Sequence, residues 1–570
     1  MYEKLKKYML NFDISELKAF LGNQLTELLV EWLPENQPLY TEENLVNMIL
    51  SIYGCKVLEN SNFRERLLRA MEISTLESFK KYMPAMKDKG LKELAYEVSR
   101  IPWTESEINK HLLSILEIPT SIFYKEQESV FSVETINAYD KFFELLDYQF
   151  LIRQKIITYM DSDNELVKMV VRMPTGTGKT KTAMHTIIHQ YVFKYKKRGL
   201  VIWLAHTKEL LEQALKTFCN VWRHIGDGEI SVYKMWDRYN TSLEQLEDGF
   251  LFCGIQKFMS IHKSNQELFD KLIKESIIIV VDEAHRAGAY KTKKAIDDIM
   301  VKLPDCPDKT LIGLTATPGR STSDDNDNRL FRYMFDNKII DIDTALLNTL
   351  NMSQTKALNT DPEKDIIKYF QDRGVLSKIT RETLIYGNLD EDTIKKLKVH
   401  MTANGYKDYS EAFLKRVAIN KERNTKITNR LIELNNQGKP TIVFACSVEH
   451  GKMLSAALTM NGVANGHIFG DMDAADRKTI ISRFKDKNDN MNILINYEVL
   501  TTGFDSTNIK CVFITRPTQS VVLYSQMLGR GLRGPMMGGN ETCLLIDVED
   551  NLKQFNTESE AFNFFNDYWN

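Results

Sequence analysis

The sequence predicts an α/β protein, with two parallel-sheet domains in tandem behind a helix-rich N-terminal segment. Three observations carry this. Apolar runs of strand length alternate with amphipathic helical stretches, first in residues 136–325 and again from residue 426. Strands that are apolar on both faces belong to a parallel sheet covered on both sides. A glycine-rich loop follows a strand in the first of these units and has no counterpart in the second. The chain has 570 residues, 43% hydrophobic and 26% charged, which is too long for one core, so two to four domains are expected.

Taken in order, residues 1–135 show apolar side chains at three- and four-residue spacing, in segments 12–21 and 24–30. Another such segment opens at Ser61, read as its N-cap. No catalytic constellation stands out, which makes this a helical accessory or docking domain. Residues 136–325 carry buried strands at 199–205, 277–281 and 311–314. Residues 326–425 read as a polar, helical connection, entered through an exposed loop at 321–328. Residues 426–570 repeat the rhythm, with strands at 441–446, 491–495, 511–514 and 543–547.

Bulk composition narrows the classes. A net charge of −3 does not announce a nucleic-acid binder, yet a basic groove can sit on a neutral protein. There is no run of about twenty apolar residues, so no membrane partner is expected. The N-terminus leads into mixed charges without a signal-peptide core. Seven dispersed cysteines, none at metal-ligand spacing, fit a reduced cytoplasmic protein without structural zinc.

The apolar run 168–173 leads directly into Pro174-Thr175-Gly176-Thr177-Gly178-Lys179-Thr180. The order is strand, glycine-rich loop, then a helix from about Lys179. Backbone N–H groups of such a loop converge on phosphate oxygens, and the helix N-terminus adds a favourable dipole. Thr175, Gly176, Thr177 and Gly178 would therefore hold the phosphates of a nucleotide. Lys179 would neutralise β- and γ-phosphate charge, and Thr180 would place its hydroxyl on Mg²⁺. Met173 stands where the general pattern has its first glycine, so the Pro-Thr-Gly form is the template.

Val280-Val281-Asp282-Glu283-Ala284-His285 ends a buried strand in carboxylates, at the end that faces the ligand crevice of a parallel sheet. Asp282 would hold Mg²⁺, mainly through water. Glu283 would orient and deprotonate an attacking water. His285 would couple this site to the second domain.

With these residues, the chain resembles superfamily 2 helicases and translocases, which have two RecA-like domains. Asp282-Glu283-Ala284-His285 is similar to the family's DEAH-type motif. Leu314-Thr315-Ala316-Thr317-Pro318 resembles its third motif, whose hydroxyls, here Thr315 and Thr317, link hydrolysis to movement. The resemblance implies nucleic-acid backbone contacts at Thr207 and Lys208, within Ala205–Leu210, and at Gln256, within Gly254–Lys257. Phe444-Ala445-Cys446-Ser447 and Val499-Leu500-Thr501-Thr502-Gly503-Phe504-Asp505 resemble the fourth and fifth motifs. They imply phosphate contacts from Ser447, Thr501 and Thr502, and place Asp505 near the nucleotide. Such contacts position a strand without reading its sequence. Leu146-Asp147-Tyr148-Gln149 resembles the adenine-reading motif, with Gln149 as reader and Gln154 as alternative.

Ser525-Gln526-Met527-Leu528-Gly529-Arg530-Gly531-Leu532-Arg533 matches the family's Gln-x-x-Gly-Arg-x-x-Arg motif. The two arginines, three residues apart, are expected on one helix face. Analogy makes Arg530 and Arg533 arginine fingers reaching across the cleft, with Gln526 beside them. The resemblance covers roughly residues 140–550. Within the superfamily, the run through Gly534-Pro535 to Asp547, with 365–376 as a connecting segment, resembles the restriction-enzyme-type group. It implies an ATP- and Mg²⁺-dependent motor on nucleic acid, DNA rather than RNA, in restriction or phage defence, with a separate nuclease or defence subunit as partner. An ATP-driven switch that docks a partner without unwinding is the alternative.

Overall fold

The computed structural model describes residues 2–22, 41–123, 131–139, 144–162, 166–286, 290–301, 308–319, 325–353, 358–386, 399–401, 407–470, 472, 474–501, 504, 506–518, 520–549 and 564. The helical segment expected at 24–30 lies outside these residues, as do Thr502 and Asp505.

The first sheet has eight strands in the order β1-β4-β5-β3-β6-β7-β2-β8. They are β1 (Val133–Asn137), β2 (Leu166–Arg172), β3 (Leu200–Ala205), β4 (Glu229–Met235), β5 (Gly249–Gly254), β6 (Ser276–Asp282), β7 (Lys309–Thr315) and β8 (Ile339–Ile340). All pair in parallel except β1, which runs antiparallel to β4 at the edge. β3, β6 and β7 are buried throughout, because helices cover both faces of the sheet. The second sheet is wholly parallel, in the order β13-β14-β12-β15-β16-β9. Its strands are β9 (Lys378–Leu384), β12 (Thr441–Phe444), β13 (Asn465–Ile468), β14 (Ile493–Asn496), β15 (Cys511–Ile514) and β16 (Thr542–Val548). A separate antiparallel pair, β10 (Val399–Met401) and β11 (Lys407–Tyr409), falls between β9 and β12 in the chain. This is the expected pair of RecA-like sheets in tandem behind N-terminal helices.

The interval 326–425 is more than a helical connection. β8 joins the first sheet beside β2, and β9 joins the second beside β16. The partner of β9 stands far downstream in the chain, so no local pattern announces it. Residues 325–328, expected in an exposed loop, begin the helix Asp325–Met334. Asn60 rather than Ser61 is the N-cap of Ser61–Arg69, accepting from the N–H groups of Asn62 and Phe63.

The N-terminal helices enclose their own core, including Leu5, Phe12, Leu17, Phe63 and Leu67. This core extends onto Ala456 and Ala457 of the helix Val448–Met460, which belongs to the second sheet domain. Small residues allow the close approach. Ser51 Oγ lies 2.9 Å from Thr459 Oγ1 and 3.4 Å from Ser455 Oγ, and Lys56 pairs with Asp476 at 3.1 Å. Among the described residues, no helix is long and apolar enough to cross a membrane, and the six cysteines form no disulfide.

Candidate active site

β7 lies between β2 and β6, so the loop after β2 and the acidic end of β6 flank the end of β7. The loop turns at Gly176 (φ 90°) and Gly178 (φ 86°), a left-handed conformation that only glycine takes without strain. It enters the helix Lys179–Phe193, as the sequence predicts. Thr177 Oγ1 donates to the Pro174 carbonyl at 2.7 Å and stiffens the turn. Thr175 precedes these glycines, and Thr180 is the second residue of the helix.

Gln149 is placed against this loop. It is 1% exposed; its Nε2 donates to the Thr177 carbonyl at 3.0 Å and its Oε1 accepts from Leu146 N–H at 3.1 Å. The Tyr148 hydroxyl donates to the same carbonyl at 2.8 Å. Gln154 instead lines a cavity of about 520 Å³ with Lys155, Tyr159 and Lys338, beside β8 at the sheet edge.

Lys179 Nζ lies 3.3 Å from Glu283 Oε1. Glu283 follows β6 at φ 50°, a left-handed conformation that costs a non-glycine residue on the order of 1–3 kcal/mol and is held by its surroundings. Its N–H donates to Asp282 Oδ1 at 3.0 Å. Burial pushes the Asp282 carboxyl up to about 6, against the nearby Lys179 ammonium. Burial acts the same way on Glu283, but the charge of Lys179, with Arg286 adding to it, outweighs it and holds this carboxyl well below its usual range. The buried Asp282 carboxylate and the Thr180 hydroxyl at the helix N-terminus are oxygen ligands of the kind a divalent cation takes, and the Lys179 ammonium suits phosphate.

His285 is fully buried, and burial pushes it down to about 3, so it is neutral. Its Nδ1 lies 2.9 Å from Thr315 Oγ1, its Nε2 lies 3.2 Å from Gln526 Nε2, and Thr315 Oγ1 donates to the Thr317 carbonyl at 2.9 Å. One assignment satisfies all three contacts. Gln526 donates to Nε2, Nδ1–H donates to Thr315, and Thr315 donates onward. Met173 N–H also donates to the Thr315 carbonyl at 3.2 Å, tying the start of the phosphate loop to the same residue.

The second sheet domain supplies the opposing wall. A Cβ on Gly529 would lie 2.5 Å from Thr175 Cγ2, so this glycine lets the two domains meet at the phosphate loop. The arginines do not share a helix face as expected. The helix Val521–Leu528 ends at Gly529, and Arg530 and Arg533 lie beyond it. The chain beyond the helix packs closely on the sheet, since a Cβ on Gly531 would collide with Cys543 Sγ. Arg530 Nη1 donates to the Phe504 carbonyl at 2.6 Å and Nε donates to the Gln526 carbonyl at 3.2 Å. Burial lowers its pKa to about 10, with the Glu283 charge opposing, so it stays cationic. Arg533 Cγ would lie 3.7 Å from a Cβ on Gly176. Gln526 Oε1 accepts from Arg286 at 3.4 Å. Sequence reasoning missed Arg286, because its position after the acidic motif carries no signal until the second domain is in place.

The residues expected to contact nucleic acid are more dispersed. Thr207 and Ser447 cap the helices Lys208–Ile225 and Val448–Met460, accepting from the N–H groups of Leu210 and His450. Gln256 is exposed at the start of the helix Ile255–Ser264. All three helices begin at C-terminal strand ends, where N–H groups and dipoles favour phosphate. Lys208 pairs with Asp237 at 2.7 Å, and the buried Thr501 donates to the Glu498 carbonyl at 2.6 Å.

Two family models match the chain: the type III restriction enzyme res subunit over residues 142–320, and the helicase conserved C-terminal domain over residues 423–534. IRC3 of Saccharomyces cerevisiae, assigned as an ATP-dependent helicase, is 23% identical over 71% of this chain and 51% of its own length. The endonuclease subunit of the Escherichia coli type I restriction enzyme EcoKI is 27% identical over 64% of this chain and 31% of its own length. The chain thus spans about half of the first relative and about a third of the second. Among solved structures, S. cerevisiae Dbp5 bound to RNA and ADP BeF3 aligns with a TM-score of 0.45 and 15% identity, over 73% of this chain and 87% of that one.

Proposed function

We propose that the chain is a superfamily 2 helicase of restriction-enzyme type, an ATP-driven motor that moves along DNA, a reading supported by its matches to the type III restriction enzyme res subunit and the helicase C-terminal domain. The observation that carries this reading is the cleft itself. Lys179, Asp282 and Glu283 from one sheet face Gln526, Arg530 and Arg533 from the other, and Gln526 touches His285 directly. ATP would sit against the loop 174–180, with Thr180 and Asp282 holding Mg²⁺, which when bound offsets phosphate charge. Lys179 would leave Glu283 for the phosphates. Glu283, released from its ion pair, would accept a proton from the attacking water, at Oε1 or Oε2. Arg530 and Arg533 would stabilise charge on the transferred phosphoryl group. The neutral His285, bonded to both Gln526 and Thr315, would carry the state of the nucleotide between domains.

DNA is favoured over RNA because the motifs match the restriction-type group. The helix starts at Lys208, Ile255 and Val448 supply the track, together with Gln256, Thr501 and Thr502, while Asp505 sits near the nucleotide. A restriction or phage-defence role with a separate nuclease subunit, in the cytoplasm, completes the reading. The ATPase rate of the purified protein tests it, measured alone and with single-stranded DNA, double-stranded DNA and RNA, with Lys179→Ala as blank. Strong stimulation by DNA is expected. Stimulation by RNA alone would move the substrate, and a basal rate that no nucleic acid changes would favour the partner-docking switch.

A further inference from the structure

The segment Ile366–Ser377 crosses from one wall of the cleft to the other. It begins as the helix Ile366–Asp372. Phe370 packs against Tyr148, ring centroids 4.7 Å apart. Arg373, which follows the helix, reaches both carboxylate oxygens of Asp147 from a single Nη1, at 2.7 and 2.9 Å. Asp147 and Tyr148 open the helix that holds Gln149, and the Tyr148 hydroxyl bonds the Thr177 carbonyl of the phosphate loop. The segment is therefore fastened to the first domain within two side chains of the loop.

Its other end is fastened to the tail of the arginine motif. Leu376 and Arg533 form an antiparallel bridge. Ser377 N–H donates to the Leu532 carbonyl at 2.9 Å, and Gly534 N–H donates to the Val375 carbonyl at 3.0 Å. Ser377 Oγ lies 2.5 Å from the Arg533 carbonyl oxygen and 2.7 Å from that of Asn540. A Cβ on Gly534 would lie 2.3 Å from the Gly374 carbonyl oxygen, so the two backbones touch. Leu376 Cδ2 would lie 3.4 Å from a Cβ on Gly176, which places the segment on the phosphate loop itself.

We propose that Ile366–Ser377 is a strap that positions Arg533 at the phosphate loop, and that the Asp147–Arg373 ion pair is its latch. The proposal rests on the ATPase reading above. Arg373 and Asp147 act as positioning residues, through Arg533. Loosening the latch lets the strap shift, and Arg533 shifts with it. A residue that works through Arg533 has nothing left to affect once Arg533 is gone.

The test is ATP turnover at saturating nucleic acid in the full chain, for Arg373→Ala, Arg533→Ala and the double variant, with fluorescent ADP affinity measured alongside. Arg373→Ala is expected to lower kcat about 10-fold in the wild-type background and by less than about 2-fold in the Arg533→Ala background, with ADP affinity nearly unchanged. Asp147→Ala is expected to behave in the same way. Equal losses in both backgrounds would make the pair a general structural contact and overturn the proposal, as would full turnover in Arg373→Ala. A wild-type protein without Lys179-dependent turnover would instead bring down the ATPase reading, and the strap proposal with it.

Discussion

Lys179→Ala is expected to reduce ATP turnover to the blank level, a loss on the order of 10³-fold or more. Lys179 is the cation that opens the helix Lys179–Phe193, and it already neutralises Glu283 from 3.3 Å. The substitution removes the charge that would meet the β- and γ-phosphates, and it leaves the half-buried Glu283 without that partner. The measurement is steady-state phosphate release, with melting temperature recorded to show that the variant is folded. Turnover within a few-fold of wild type would contradict the assignment of the phosphate loop.

Arg530→Ala is expected to keep ATP binding but lose turnover, on the order of 10³-fold by analogy with other arginine fingers. Arg530 is half-buried, and its guanidinium is anchored by the Phe504 and Gln526 carbonyls and senses the Glu283 charge. Arg530→Lys keeps the charge but not the planar fork, so it should recover little. Unchanged kcat in Arg530→Ala would mean that the second domain does not complete the site.

Most of the fold and half of the candidate site were legible because their signals are local. The all-apolar strands β3, β6 and β7 stand out in a few residues of sequence each. Pro174–Thr180 needs only the strand before it and the helix after it, and Asp282-Glu283 needs only the strand end. The rest depends on contacts between distant parts of the chain. β9 is a half-exposed edge strand rich in charge, and it is a strand because β16 pairs with it. Arg530 and Arg533 read as helical because their spacing does not reveal that the helix ends at Gly529, where the chain packs closely against Thr175 and Cys543. Thr207 and Ser447 are expected from the resemblance to contact phosphate, and the structure shows them capping helix N-termini. The seating of the N-terminal helices on Val448–Met460 rests on Ser51, Ser455 and Thr459, which have no pattern that marks an interface.

The central claim, that ATP hydrolysis at this cleft drives movement on DNA, is tested most directly by measuring strand displacement and ATP consumption in the same reaction. Both a partner strand on a forked duplex and a third strand on a plain duplex serve as reporters. The account predicts that at least one is displaced in proportion to the ATP consumed, and that Lys179→Ala displaces neither. ATP consumed with both strands left in place would contradict it.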